Sequence, residues 1–182
     1  MVPLVATATL GWLSALGDWI WFHYLTDGAL LPAVVHGVLF FVALAMLLAW
    51  AAGERRAWRR LVPTLPWVGF GLAAIFYPLA SVTGYVSALV VCWVAMWLGT
   101  AALQTWARGR REGWGRVVSR GLLAAIGSGL AFWQVSSMWT TAYPDGPPVG
   151  EHFLKWSFAL LPGFLALLMF QPPAEGEATT ED

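Results

Sequence analysis

The sequence predicts an all-α fold, a polytopic transmembrane bundle of six helical spans with both termini cytoplasmic. Three observations carry that reading. Residues 61–107 run for 47 positions without one Asp, Glu, Lys or Arg, which is roughly 70 Å of helix, or about two bilayer crossings. The chain of 182 residues is 59% hydrophobic and 11% charged, against about 25% charged in a soluble domain. Nine of its ten basic residues fall in two short clusters, residues 55–60 and 108–120. A backbone in hydrocarbon must satisfy its own hydrogen bonds, so each span is expected to be helical.

The first span is expected at 3–24 and carries Asp18. No basic segment precedes it, so it does not look like a cleaved signal peptide and is expected to be retained. Thr26-Asp27-Gly28 makes a turn into a second span at 29–52. The long uncharged run must fold back on itself, and Pro78 with Ser81-Val82-Thr83-Gly84 offers the break, giving spans at 61–79 and 85–107. The fifth span is expected at 117–139 and the sixth at 153–170, separated by the polar turn Tyr143-Pro144-Asp145-Gly146-Pro147-Pro148. One bundle at 1–170 fits this length. The tail, 171–182, is acidic and lacks large apolar residues, so it is expected to be disordered and cytoplasmic.

Six spans place both arginine clusters on one side, which the positive-inside rule makes cytoplasmic. A five-span count would separate them. Lys155, alone near the other side, is expected to snorkel outward. Net charge is zero, and no basic groove or nucleic-acid motif is present, so nucleic acid is not an expected partner. One cysteine, Cys92, excludes a disulfide framework and a CxxC site.

Of the 13 Trp residues, Trp21, Trp139 and Trp156 lie near the outer ends of spans and Trp50, Trp58, Trp106 and Trp114 near the inner ends, as an interfacial belt would. Trp12, Trp67, Trp93, Trp97 and Trp133 lie deeper, in bundle packing, lipid contact or a ligand cavity. Gly121, Ala125 and Gly129 form a small-residue stripe that admits a neighbouring helix, of this chain or of a partner. Gly11 and Ala15 make a weaker one.

A charge at membrane depth is costly, so the intramembrane ionisable groups are the first candidates for a site. Asp18 follows Ser14 by one turn. It is either a ligand-anchoring, proton-carrying or catalytic carboxylate, or a structural acid bonded to a neighbouring helix. His36 lies about two turns into the second span. His23 and His152 are expected at the interface. No HxxxH or HxxH spacing occurs, so neither a metal nor another cofactor is expected. Gln134, Ser137 and Thr141 share one face of the fifth span. With Asp18 and His36 they would form an outward-leaning polar pocket lined by Trp133 and Trp139. No GxSxG, HExxH or Walker motif is present, so no catalytic residue is assigned and an enzyme is the less favoured class.

A run Val35-His36-Gly37-Val38-Leu39-Phe40-Phe41 leads to a basic loop. Arg110-Arg111-Glu112-Gly113-Trp114-Gly115 precedes a small-residue helix. Tyr143-Pro144-Asp145 precedes Lys155-Trp156 and a last helix with Pro162-Gly163. In this order, from about residue 12 to 170, the chain resembles the insulin-induced gene (Insig) family of six-span membrane proteins, although it lacks that family's more polar segment after the first span. The resemblance implies a lipid binder, with a cavity between helices for a sterol- or diacylglycerol-like molecule.

The leading expectation is therefore a non-enzymatic multi-pass protein of a cell membrane, by composition a bacterial inner membrane, binding a lipid or other apolar small molecule. The alternatives are a substrate-binding subunit of a vitamin-type transporter, an intramembrane enzyme of lipid or isoprenoid metabolism using Asp18 and His36, and an accessory subunit or homo-oligomer docking through Gly121, Ala125 and Gly129.

Overall fold

The computed structural model describes residues 2–24, 30–109, 112–136 and 148–170, and within the helices all side chains except those of 18, 20–24, 30–33, 77, 85 and 136. The described residues form six helices and no strand: α1 (Val2–Tyr24), α2 (Leu30–Ala52), α3 (Arg55–Thr83), α4 (Tyr85–Arg108), α5 (Trp114–Ser136) and α6 (Val149–Met169). The turn around Asp27, the Tyr143-Pro144-Asp145 segment and the tail lie outside the described residues.

Helix limits differ from expectation most at α3, while α5 and α6 also begin earlier, at Trp114 and Val149 rather than 117 and 153. α3 begins at Arg55 rather than at residue 61, because the arginine segment is itself helical and Arg is a good helix former. It also runs through Pro63, Pro66 and Pro78 and ends only at Gly84. That residue alone separates α3 from α4, with φ 87° and ψ 154°, a conformation essentially restricted to glycine. Pro78 therefore does not break the helix. Ser81 and Thr83 donate back to the carbonyls of Pro78 and Leu79 at 2.8 and 2.9 Å, which helps satisfy the last turn.

Each helix packs on its sequence neighbours, and α6 closes on α1, so the six make a ring. The seams are built from small residues. A Cβ on Gly69 would sit 2.8 Å from the Gly37 carbonyl oxygen of α2, and one on Gly121 would sit 2.9 Å from the Leu98 Cα of α4. One on Gly11 would sit 3.1 Å from the Ser157 nitrogen of α6. The Gly121, Ala125, Gly129 stripe is thus used within the chain, against α4. Trp93 Nε1 donates to the Ala125 carbonyl at 3.2 Å, and its ring lies beside Gly129.

An aromatic chain ties α4, α5 and α6 together. Trp97, 2% exposed, meets Phe164 of α6 edge-on at 6.0 Å and Trp93 at 6.2 Å. Trp93 meets Phe132 of α5, which meets Trp156 of α6 at 5.3 Å. The edge of Trp97 occupies the space a side chain at position 163 would need. Of the deep tryptophans, Trp93 and Trp97 pack inside, whereas Trp12, Trp67 and Trp133 are exposed on the outside.

The distribution of side chains is that of a bundle solvated by lipid. Alanines and glycines fill the seams, while Leu4, Trp67, Ile75, Val82, Leu130 and Met169 are exposed. So large an exposed apolar surface marks a membrane or partner contact. Four stretches, Val34–Ala52, Arg55–Thr83, Val86–Arg108 and Val149–Met169, are long and apolar enough to cross a bilayer, and Val2–Gly17 is a shorter apolar helix.

The two arginine segments meet at one end of the ring. Arg108 Nε lies 3.5 Å from Glu54 Oε1. Arg60 Nη1 donates to the Trp106 carbonyl at 2.8 Å, and the Arg60 guanidinium lies 4.8 Å from the Trp106 ring centre. Gly109, in the left-handed region at φ 67°, lies against the Arg56 guanidinium.

Two outcomes are expected. Gly163→Leu forces Trp97 out of its place and lowers stability in detergent by about 1–3 kcal/mol. Gly71→Ala, where a Cβ meets nothing within 4 Å, brings no loss. Unfolding midpoints check both. In a Cys92→Ala background, Arg59→Cys and Arg116→Cys are expected to react with a membrane-impermeant thiol reagent from the same face of sealed vesicles. Labelling from opposite faces contradicts the shared end.

Candidate functional site

Most polar side chains buried among the described residues fall in two zones, one at the arginine end and one about the middle of α1. The zone away from the arginines centres on α1. His36, half-buried on α2, lies against Gly17, whose missing side chain leaves room for the imidazole. Its Nε2 is 3.3 Å from the Leu13 carbonyl oxygen. A carbonyl only accepts, so Nε2 carries the hydrogen, and in the neutral ring Nδ1 is left as an acceptor. On the other flank of α1, Trp12 stacks on Phe153 of α6 at 4.7 Å, and Ser157 donates to the Thr7 carbonyl at 3.4 Å. His36 and the first turns of α6 thus meet α1 at nearly the same level, that of Trp12 and Leu13.

Those first turns of α6 carry Glu151, His152 and Lys155. His152 and Lys155 are both buried against the bundle, Lys155 at 6% exposed. Lys155 Nζ pairs with Glu151 one turn earlier. A partner carboxylate at that spacing offsets much of the cost of burying the ammonium, so the side chain need not reach water. Ser14 is also buried. Asp18 lies in α1, next in sequence to the glycine that His36 covers and one turn beyond Ser14; its side chain is outside the described residues.

The other expected site residues sit elsewhere. Trp133 is 70% exposed on the outer surface of α5, and Gln134 beside it is exposed. α5 packs on α4 and α6, not on α1 or α2, so neither is joined to His36 by a helix seam. Ser137 and Thr141 lie outside the described residues. Among the described residues, no three His, Cys, Asp or Glu side chains converge as a metal-ligating set.

The second zone, at the arginine end, was not expected. Arg120, 3% exposed, reaches from α5 to α4 and pairs with Glu112 of the connecting loop at 3.1 Å. The Arg120 Nη2 donates to the Thr105 hydroxyl at 2.6 Å and to the Ala101 carbonyl at 3.2 Å. Thr105 in turn donates to Glu112 Oε2 at 2.8 Å, with the Ala101 carbonyl as the alternative acceptor at 3.0 Å. Ala101, Gln104, Thr105 and Arg108 are spaced i, i+3, i+4 and i+7, so one face of α4 supplies this zone. Two signals were present in the sequence. Arg120 lies inside the expected fifth span, and Gln104 and Thr105 lie near the end of the fourth. Arg120 counts among the clustered arginines that set the topology, whereas the uncharged Gln104 and Thr105 give no topology signal.

The two zones differ in kind. Arg120 and Glu112 neutralise each other and lock the α4–α5 turn, which is a structural role. The α1–α2–α6 zone holds a half-buried imidazole, a buried ammonium and a buried second imidazole. These can bind a polar headgroup or exchange a proton. Comparisons with protein-family models, with curated proteins and with solved structures gave no match to this chain.

Glu112→Gln strands the buried Arg120 charge and is expected to lower stability by about 3–5 kcal/mol. The pair Glu112→Leu with Arg120→Met removes both charges and is expected to recover most of that loss. Unfolding midpoints of the single and double variants give the comparison.

Proposed function

We propose that this chain is a six-span membrane protein, with its arginine end and both termini cytoplasmic, that holds a lipid or other apolar small molecule between its helices. The observation that carries the reading is the polar zone around α1. His36, Ser14, His152, Lys155 and Glu151 gather near one level of a ring whose surface is otherwise apolar and lipid-like. An apolar ligand with a polar head matches that arrangement, its head toward the zone and its body along the helices. The resemblance of the motif order to that of the Insig family points to a sterol- or diacylglycerol-like molecule.

A second reading has one observation in its favour. The His36 Nδ1 is an acceptor next to the residue that precedes Asp18, as a proton-transferring pair in an intramembrane enzyme requires. Asp18→Asn separates the two readings. A binder loses its ligand, whereas an enzyme keeps substrate binding and loses turnover.

The test is native mass spectrometry of the gently extracted protein, with identification of what co-purifies. One apolar molecule at 1:1 is expected, depleted at least tenfold in Asp18→Asn and in His36→Ala while unfolding midpoints stay within a few degrees. A protein that carries nothing, or a ligand retained equally by both variants, overturns the reading.

A further inference from the structure

The first turns of α3 hold Arg55, Arg56, Arg59 and Arg60, four guanidinium groups in six residues. This is an unfavourable place for them. Arg55 and Arg59 are spaced i, i+4, as are Arg56 and Arg60, and like charges at that spacing repel. The helix N-terminus is itself positive and favours acids, yet α3 has none in its first turn. Glu54 holds the N-cap position but makes no side-chain cap bond; its carboxylate lies 3.5 Å from Arg108. The other described acid at this end, Glu112, is buried against Arg120. Both local acids are thus drawn to arginines outside α3.

The four arginines divide into two pairs. Arg56 and Arg60 lie against the end of α4, at Gly109 and at the Trp106 ring and carbonyl. Arg55 and Arg59, one turn apart, are exposed, as is Arg56, and for neither of the two is a contact with α4 seen among the described residues. Around them, Trp50, Trp58, Trp106 and Trp114 are exposed at the same end of the ring, the residue type that settles at headgroup level. Two outward guanidiniums one turn apart, at the depth an aromatic belt sets, fit a phosphate.

The structure assigns Arg55 and Arg59, supported by Arg56, as a binding site for the phosphate of an anionic phospholipid in the leaflet at the arginine end. This rests on the chain being embedded in a bilayer and is independent of the site around His36. The phosphate neutralises charges for which the described residues offer no carboxylate, since Glu54 pairs with Arg108 and Glu112 with Arg120. The tryptophans and the apolar surface of α2 and α3 meet the acyl chains, which a nucleic acid or a soluble acidic protein lacks.

The experiment is native mass spectrometry of the full chain with an equimolar mixture of phosphatidylglycerol and phosphatidylcholine of matched acyl chains. The wild-type protein is expected to retain phosphatidylglycerol preferentially. A guanidinium near an anionic surface is worth about fivefold in affinity, so Arg55→Gln with Arg59→Gln is expected to lower that retention about 30-fold. Added salt is expected to weaken it as well. Both side chains are exposed, so the variant is expected to fold, and its unfolding midpoint verifies this. Asp18→Asn and His36→Ala are expected to leave the preference intact, which keeps this result separate from that of the interior site. Equal retention of the two lipids, or a preference unchanged in the double variant, overturns the assignment. So does a preference that emerges only when residues 171–182 are removed, because the acidic tail is then the occupant.

Discussion

Close approach of backbones is the constraint on which this bundle depends. In lipid, burying an apolar side chain gains little over leaving it against acyl chains, so helices associate through dispersion contacts and hydrogen bonds, and both need proximity. Glycines supply it at four seams. Gly11 admits α6 to α1, Gly69 admits α2 to α3, Gly121 admits α4 to α5, and Gly163 admits the edge of Trp97 from α4 to α6. Large residues lie on both sides: Val82 and Trp67 are exposed, whereas Leu10, Leu48, Leu61, Leu65, Phe164 and Leu167 are buried. Trp97 is also buried, and it fills space that Gly163 leaves.

The same proximity determines where polarity is tolerated. The His36 imidazole lies in the α1–α2 seam because Gly17 leaves space for it, and the nearby Leu13 carbonyl provides a hydrogen-bond acceptor. Arg120 is buried because Thr105, the Ala101 carbonyl and Glu112 converge on one nitrogen. In each case a group costly to bury is held by partners on an adjacent helix or turn. Each such contact also fixes the register of a seam, since sliding either helix by one residue separates the partners.

The six helices and their order were legible in the sequence because uncharged runs, turn residues and arginine clusters punctuate it strongly. The meeting of the two clusters at one end was also legible, from span count and charge alone. Helix limits were less so. The arginine segment reads as loop by charge and as helix by propensity, and propensity prevails at Arg55. The break expected at Pro78 with Ser81–Gly84 falls at its last residue: Pro78 stays helical, and Gly84 with positive φ ends α3. Contacts between distant residues were least legible. The Gly121, Ala125, Gly129 stripe announces a close neighbour without naming it, and that neighbour is α4. Lys155 reads as a lone cation, because residue type alone does not announce its pairing with Glu151. Trp133 and Gln134 were grouped with His36 by depth, but depth does not specify azimuth around a ring.

The two polar zones differ in how their charges are resolved, and this bears on function. At the arginine end, Glu54 and Glu112 bind Arg108 and Arg120, which closes the α4–α5 turn and joins it to the start of α3. That end is braced, with its remaining positive charge turned outward from α3. Away from that end, polar groups are carried on three helices that meet along α1: His36 from α2, Ser14 from α1, and Glu151, His152 and Lys155 from α6. Lys155 and Glu151 pair there within one helix. Ligand recognition needs groups whose positions are fixed by packing but whose hydrogen-bonding capacity is not spent on one another. The His36 Nδ1 meets that description, held through Nε2 by the Leu13 carbonyl and presenting its lone pair elsewhere. The braced end keeps the helices in register, and the α1 zone is where the fold retains chemistry to offer.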